Sequence, residues 1–172
     1  QFLGGEIAMV PRAELYEHIR MVKRICAERG IGCVVGAQSN LIVSEQEAAR
    51  LDDLFEGRLG TSIDLTTDAR TVKGDAEKYR LIWKSADQYL RSKRSTPGAI
   101  YVVEPDSGAD AIKHLREAAR SNRAITFRPI FKGGIEAVQT SSAEQFRDVM
   151  TELFDEWFLR LPVIAEPFFQ MC

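Results

Sequence analysis

Residues Gly32–Asn40, GCVVGAQSN, and the SEQE that follows at Ser44–Glu47 decide how this chain folds. The first stretch is a short apolar run, flanked by glycine, that ends in polar residues. A run of that length is expected as a buried strand of a parallel sheet. The second stretch has the spacing of a capping box, the usual opening of a helix. That helix would carry Ala48, Leu51, Leu54 and Phe55 on one side. One strand, one polar tip and one capped helix thus follow each other within about two dozen residues.

The same unit recurs in both directions. Upstream, Leu15, Ile19, Val22 and Cys26 fall at helical spacing over about 13–29, and Gly30 supplies the stop. Before that helix stands a strand remnant, QFLGG. Downstream, LGTSIDL (59–65) is the next strand and turns polar at Asp64. A long helix over about 76–92 has Tyr79, Ile82, Trp83, Ala86, Tyr89 and Leu90 as its buried stripe. PGAIYVVEPD is a strand introduced by a Pro-Gly turn, and Ile112, Leu115 and Ala119 mark the following helix. AITFRPIF is another strand. Ser142 and Gln145 form a second capping box, and Phe146, Val149, Leu153 and Trp157 face inward behind it. PVIAEPFF begins one more strand-like stretch. Strict alternation of strand and helix predicts an α/β fold on a mainly parallel sheet. An open doubly wound sheet and an arc of a β/α barrel both satisfy it. The absence of a G-x-G-x-x-G loop disfavours a dinucleotide-binding version.

Composition bounds the function classes. The chain has 172 residues, the size of one domain, and 45% of them are hydrophobic, as in a globular protein. A net charge of -2 gives no electrostatic case for nucleic-acid binding. No apolar run reaches the ~18 residues of a membrane span, and no signal peptide is evident; the expected location is cytoplasmic. Three cysteines, Cys26, Cys33 and Cys172, are too few and too odd in number for a disulfide framework. Cys26 and Cys33 are expected as small core residues, and His18 and His114 as solvated or structural ones.

In either architecture, ligands bind at the carboxyl ends of the strands. There stand Gly4, Gly5 and Glu6; Gln38 to Asn40; Ser62 to Asp64; Glu104 to Asp106; and Arg128 with Pro129. Taken singly, Asp64 or Asp106 reads as a turn or cap residue, Asn40 as a turn former, and Arg128 as a surface ion-pair residue. Five consecutive strands with polar tips together predict a binding rim. No nucleophile sits on a glycine elbow and no general acid or base stands out, so any chemistry at the rim is expected to be carried by a cofactor; the catalytic residues are left unassigned.

In order and spacing these tips resemble the radical S-adenosylmethionine enzymes. The nearest branch modifies peptides and proteins and carries a cysteine-rich, SPASM-type C-terminal extension, as sulfatase maturases do. FLGGEI resembles the Gly-Gly-Glu-Pro segment after the second barrel strand, with Ile7 in place of proline. AQSNLIVSEQEAARL resembles the Gln-Thr-Asn-Gly-Thr segment, with Leu41 in place of glycine. LGTSIDLTTDARTVKG resembles the Ser-Ile-Asp-Gly stretch, with Leu65 in place of glycine, and AITFRPIF resembles the sixth strand.

The resemblance implies a partial parallel (β/α)6 barrel missing its first strand, as one truncated core domain over 1–172. It implies that Gly4, Gly5 and Glu6 contact the amino group of S-adenosylmethionine, and that Gln38 and Asn40 face this cofactor. Ser62 would reach the ribose hydroxyls or the carboxylate, Asp64 would stand on the same rim, and Arg70 would bind the carboxylate. The sixth strand, with Phe127 and Arg128, would border the adenine. The implied chemistry is reductive cleavage of the cofactor to a 5′-deoxyadenosyl radical at a [4Fe–4S] cluster. The implied partners are a peptide or protein substrate and an electron donor such as flavodoxin or ferredoxin. The family's Cys-x-x-x-Cys-x-x-Cys loop has no counterpart here, so the cluster ligands are expected upstream of Gln1. The chain alone is then expected to be inactive, with an open sheet edge beside Phe2 through which it self-associates. Cys172 is a candidate first ligand of an auxiliary cluster. The rival expectations are a non-catalytic doubly wound binding module and an unrelated β/α-barrel enzyme, such as a lysine-dependent aldolase; Lys132 lies beyond its strand end.

Overall fold

A computed structural model describes residues 6–66, 68, 70–104, 106–129 and 142–171. Gly4, Gly5, Lys132, Cys172 and the edge beside Phe2 lie outside the described residues. The described chain is α/β, with five parallel strands in the order β1-β2-β3-β4-β5. They are β1 (Ala37–Ser39), β2 (Leu59–Ser62), β3 (Gly98–Val103), β4 (Ile125–Pro129) and β5 (Ala165–Glu166). The order follows the sequence without reversal, so this sheet lacks the switch point of a doubly wound fold. Two compact units make up the chain, one of Gln1–Thr61 with Glu77–Pro97 and one of Ser62–Ala76 with Gly98–Cys172.

In the first unit a 3-10 turn, Ile7–Met9, precedes helix α1 (Arg12–Glu28). Helix α2 (Glu45–Leu54) begins at Ser44, whose hydroxyl accepts from Glu47 N–H. The Glu47 carboxylate pairs with Arg12, so only half of the predicted capping box is present. Helix α3 (Ala76–Ser92) occupies the predicted range. Leu15, Ile19, Leu41, Leu51, Phe55, Leu59, Tyr79, Trp83, Ala86 and Leu90 are buried. Each large aliphatic or aromatic side chain among them contributes about 1.5–3 kcal/mol by leaving water. Trp83 Nε1–H donates to Thr61 Oγ1 at 3.1 Å, which satisfies the indole inside this core.

The predicted strand over Gly32–Asn40 shrinks to β1. Val34 is 68% exposed and Cys33 half-buried, because the segment before Ala37 makes no ladder. At the end of α1, Val22 is exposed and Cys26 half-buried, so only the front half of the predicted apolar face is sealed.

In the second unit, helix α4 (Gly108–Arg120) packs on β3 and β4, and α5 (Ala143–Phe158) packs on α4. The predicted capping box at Ser142 and Gln145 is complete. Tyr101, Val103, Leu115, Ile125, Phe127, Leu153, Ala165 and Phe168 form the core. The last strand is two residues long and gives way to a short helix, α6 (Phe168–Met171). Trp157 donates to the Val163 carbonyl at 2.7 Å and packs on Phe168, which fixes the chain's approach to β5.

Within each unit one strand face is sealed and the other is not. Ala37, Ser39, Leu59 and Thr61 are buried, whereas Gln38, Gly60 and Ser62 are half-buried. Tyr101, Val103 and Phe127 are buried, whereas Ile100 and Thr126 are half-buried and Val102 and Arg128 exposed. A parallel sheet is usually covered on both faces, so the open face is where a ligand has access. Among the described residues, no helix is long and apolar enough to cross a membrane.

Candidate functional site

In the first unit the site is organised by Glu6. Its Oε1 accepts from Ser39 Oγ–H at 2.7 Å and Ala8 N–H at 3.1 Å, and its Oε2 accepts from Asn40 N–H at 2.7 Å. Hydrogen bonds to a carboxylate are roughly twice as strong as neutral ones. This one carboxylate therefore caps the short 3-10 turn and ties it to the tip of β1. The tip is closed by its own side chains. Asn40 Oδ1 accepts from Ile42 N–H at 2.8 Å, and Ser39 Oγ accepts from Leu41 N–H at 3.1 Å. Leu41 takes a φ of 56°, the left-handed conformation that glycine adopts freely, with its side chain buried.

Gln38 lies beside this tip on the open face. It is in register with Gly60, where an added Cβ would overlap the Gln38 carboxamide. The absence of a side chain at Gly60 is what lets Gln38 lie across β2. Its Nε2 is buried and has no hydrogen-bond partner among the described residues.

In the second unit, Asp64, Arg70 and Glu104 line a cavity of about 360 Å³ together with Ile63 and Val102. Ile63 and Asp64 leave the end of β2, and Val102 and Glu104 stand at the end of β3. The cavity is therefore at strand carboxyl ends, where ligands of parallel α/β sheets bind.

His114 holds the loop that carries Asp64. Its Nε2 accepts from Leu65 N–H at 3.1 Å, so the ring proton is on Nδ1, which donates to the Asp110 carbonyl at 2.8 Å. Tyr101 stacks on this imidazole with ring centroids 4.3 Å apart. Burial, then the nearby charges of Asp64 and Asp110, push the Tyr101 hydroxyl up to about 12, while hydrogen bonds to Ser107 and Thr66 draw it down. Burial likewise lowers the His114 pKa, so the ring is neutral and fixed as an acceptor at neutral pH. The Ser107 hydroxyl accepts from Glu104 N–H and donates to Glu104 O, closing the loop after β3.

The predicted rim residues thus fall into separate sets. Glu6 and Asn40 meet directly, with Gln38 next to them on the strand. Asp64 and Arg70 share one cavity. Ser62 is half-buried at the end of β2. Phe127 and Arg128 occupy opposite faces of β4. Phe127 is buried edge-on against Tyr101, on the side covered by α4, and Arg128 is exposed on the open side. The Phe127 side chain is thereby part of the core, and only its backbone remains available at the strand tip.

Sequence reasoning left His114 as solvated or structural, and the structure gives it the structural role; it did not single out Glu166. His114 sits on the buried stripe of α4 with Ala111, Leu115 and Ala118, a signal that was readable in its spacing. Glu166 is in register with Thr126, and its buried Oε2 has no partner among the described residues; nothing in PVIAEPFF marks it.

The donor set suits S-adenosylmethionine. Arg70 offers a planar fork for a carboxylate, and the Asp64 and Glu104 carboxylates can accept from ribose hydroxyls or an ammonium. Among the described residues no group of three or more His, Cys, Asp or Glu is placed to hold a metal ion. Neither a scan against protein-family models nor a search of curated proteins returns a match.

Proposed function

We propose that this chain is the S-adenosylmethionine-binding core of a radical S-adenosylmethionine enzyme that modifies a peptide or protein. The observation that carries the reading is the cavity at the ends of β2 and β3, which joins Arg70 to Asp64 and Glu104. The sequential strand order supports the reading too, because it suits an arc of a β/α barrel and not a doubly wound module. The Leu41 backbone adds to it by keeping a glycine-like conformation where the family motif has glycine.

In this reading Arg70 pairs with the cofactor carboxylate, and Asp64 and Glu104 accept hydrogen bonds from its hydroxyl or ammonium groups. Glu6 keeps the tip of β1 in place, and Ile63 and Val102 give the cavity its apolar wall. The chemistry such a cofactor would supply beside a reduced cluster is hydrogen abstraction from the substrate by a radical. This chain contributes the binding and aim that such chemistry needs, and by itself it is not expected to carry the cluster.

Calorimetric titration tests the assignment. The chain should bind S-adenosylmethionine saturably. Arg70→Ala should weaken that binding about tenfold to a hundredfold, the cost of losing a charged hydrogen-bonding pair. Binding of adenosine, which has no carboxylate, should not change. Equal losses for both ligands, or no saturable binding of either, would refute the assignment.

A further inference from the structure

Asp64 stands between two backbone ties. Ile63 N–H bonds to the Ile100 carbonyl of β3 at 2.9 Å, and Leu65 N–H bonds to His114 Nε2 at 3.1 Å. Thr66 N–H in turn reaches Asp64 Oδ1 at 3.3 Å, so the carboxylate that lines the cavity is aimed by the same few residues. The first tie joins two peptide groups, and no titration alters it. The second ends on an imidazole nitrogen that accepts a hydrogen bond only while the ring is neutral.

The ring has one way to take up a proton. Nδ1–H is already given to the Asp110 carbonyl at 2.8 Å, so the incoming proton goes to Nε2. Tyr101 stacks on the ring with centroids 4.3 Å apart, which holds its plane. Nε2–H would then face Leu65 N–H, two donors with no acceptor between them, at a residue only 3% exposed. Burial makes such an unmade hydrogen bond costly. The charges that face the ring are Asp64 from the loop after β2 and Asp110 and Lys113 from α4 itself, with the neutral Tyr101 hydroxyl from β3. The α5 acids that meet α4 do so at other positions, Glu152 beside Gly108 and Glu156 on Arg116. Burial outweighs the two aspartates and favours the uncharged ring.

We propose that His114 is a positioning residue that works as a proton-operated latch: charging its ring releases Leu65 and frees the Asp64 loop, so that acid weakens ligand binding in the cavity. The inference rests on the reading of that cavity as the S-adenosylmethionine site. Tight binding requires the neutral ring. Affinity therefore falls with the neutral fraction, approaching about tenfold per pH unit once most rings are charged. By reciprocity, bound cofactor keeps the ring neutral to lower pH.

The test takes the full chain and His114→Gln through the same series of pH values, lowered from neutral. Assigned NMR resonances of the ring give the His114 midpoint and separate it from that of the exposed His18. Exchange of the Leu65 amide, corrected for the intrinsic effect of pH, should lose protection with the His114 midpoint in the native chain. It should keep its protection in the variant, whose carboxamide oxygen accepts at every pH. S-adenosylmethionine affinity, measured by calorimetry, should weaken with the same midpoint in the native chain and stay constant in the variant. If the variant does not fold, coincidence of the midpoints in the native chain decides alone. No cofactor binding at any pH, with Leu65 protection still following the ring, would refute the cofactor reading and leave the latch supported. The latch is overturned if Leu65 protection or cofactor affinity ignores the ring's titration, or if the variant shows the same pH dependence. Unfolding, seen by circular dichroism, that coincides with the ring's midpoint would overturn it too.

Discussion

At the scale of single residues, two side chains show how the site is held. Leu41 stands where the resembled motif has glycine, and its φ of 56° keeps the glycine-like backbone. Left-handed geometry costs an L-residue roughly 1–2 kcal/mol, and complete burial of the leucine side chain offsets that amount. His114 is the second. Its neutral ring accepts from Leu65 and donates to Asp110, with Asp64, Asp110 and Lys113 as the charges around it. Burial lowers its folded pKa below the ordinary 6.5, so the unfolded chain binds the proton more readily. Its contribution to stability is therefore complete above pH 6.5 and is lost as pH falls below that value toward the folded pKa. Urea midpoints should fall as pH drops below about 6.5 for the native chain. For His114→Gln, which keeps an acceptor but cannot titrate, this part of the fall should vanish. Identical pH profiles for the two proteins would remove His114 as the cause.

At the scale of elements, helices were legible in the sequence and strand lengths were not. The 3.6-residue spacing of apolar side chains marks α1 and α3 within a residue or two, and it signals α4 and α5 without fixing their ends. A strand, in contrast, is defined by its neighbour. Gly32–Gly36 has strand-like composition but forms no ladder, and pairing begins where Ala37 N–H meets Arg58 O at 3.3 Å. The Glu6 tie was equally hidden, because its partners Ser39 and Asn40 are 33 and 34 residues away. One prediction separates the two kinds of glycine in this segment. A Cβ on Gly36 would lie 3.0 Å from the Arg58 carbonyl oxygen, whereas one on Gly32 meets nothing within 4 Å. Gly36→Ala should cost about 1 kcal/mol or more through crowding. Gly32→Ala should be neutral or stabilise by up to ~1 kcal/mol through a less flexible unfolded chain. Equal denaturation midpoints for the two variants would contradict the close approach.

At the scale of the whole molecule, alternation of strand and helix was enough to give a parallel α/β fold. The sequential strand order needed the structure, since hydropathy does not say which strand lies beside which. Val102 connects that architecture to the proposed site, since it is 37% exposed on β3 and lines the cavity. Val102→Phe should abolish S-adenosylmethionine binding while moving the unfolding free energy by no more than about 0.5 kcal/mol, as surface changes do. Undiminished binding would detach the cavity from the function. The sealed and open strand faces also obey a simple numerical rule. The helix-facing strand positions named here carry odd numbers, from Ala37 and Thr61 to Tyr101 and Phe127, and their open neighbours carry even ones, from Gln38 and Ser62 to Val102 and Arg128. Foldability is thus written in one parity and recognition in the other. A library that randomises only the even strand positions could search for new specificities while leaving the folding instructions intact.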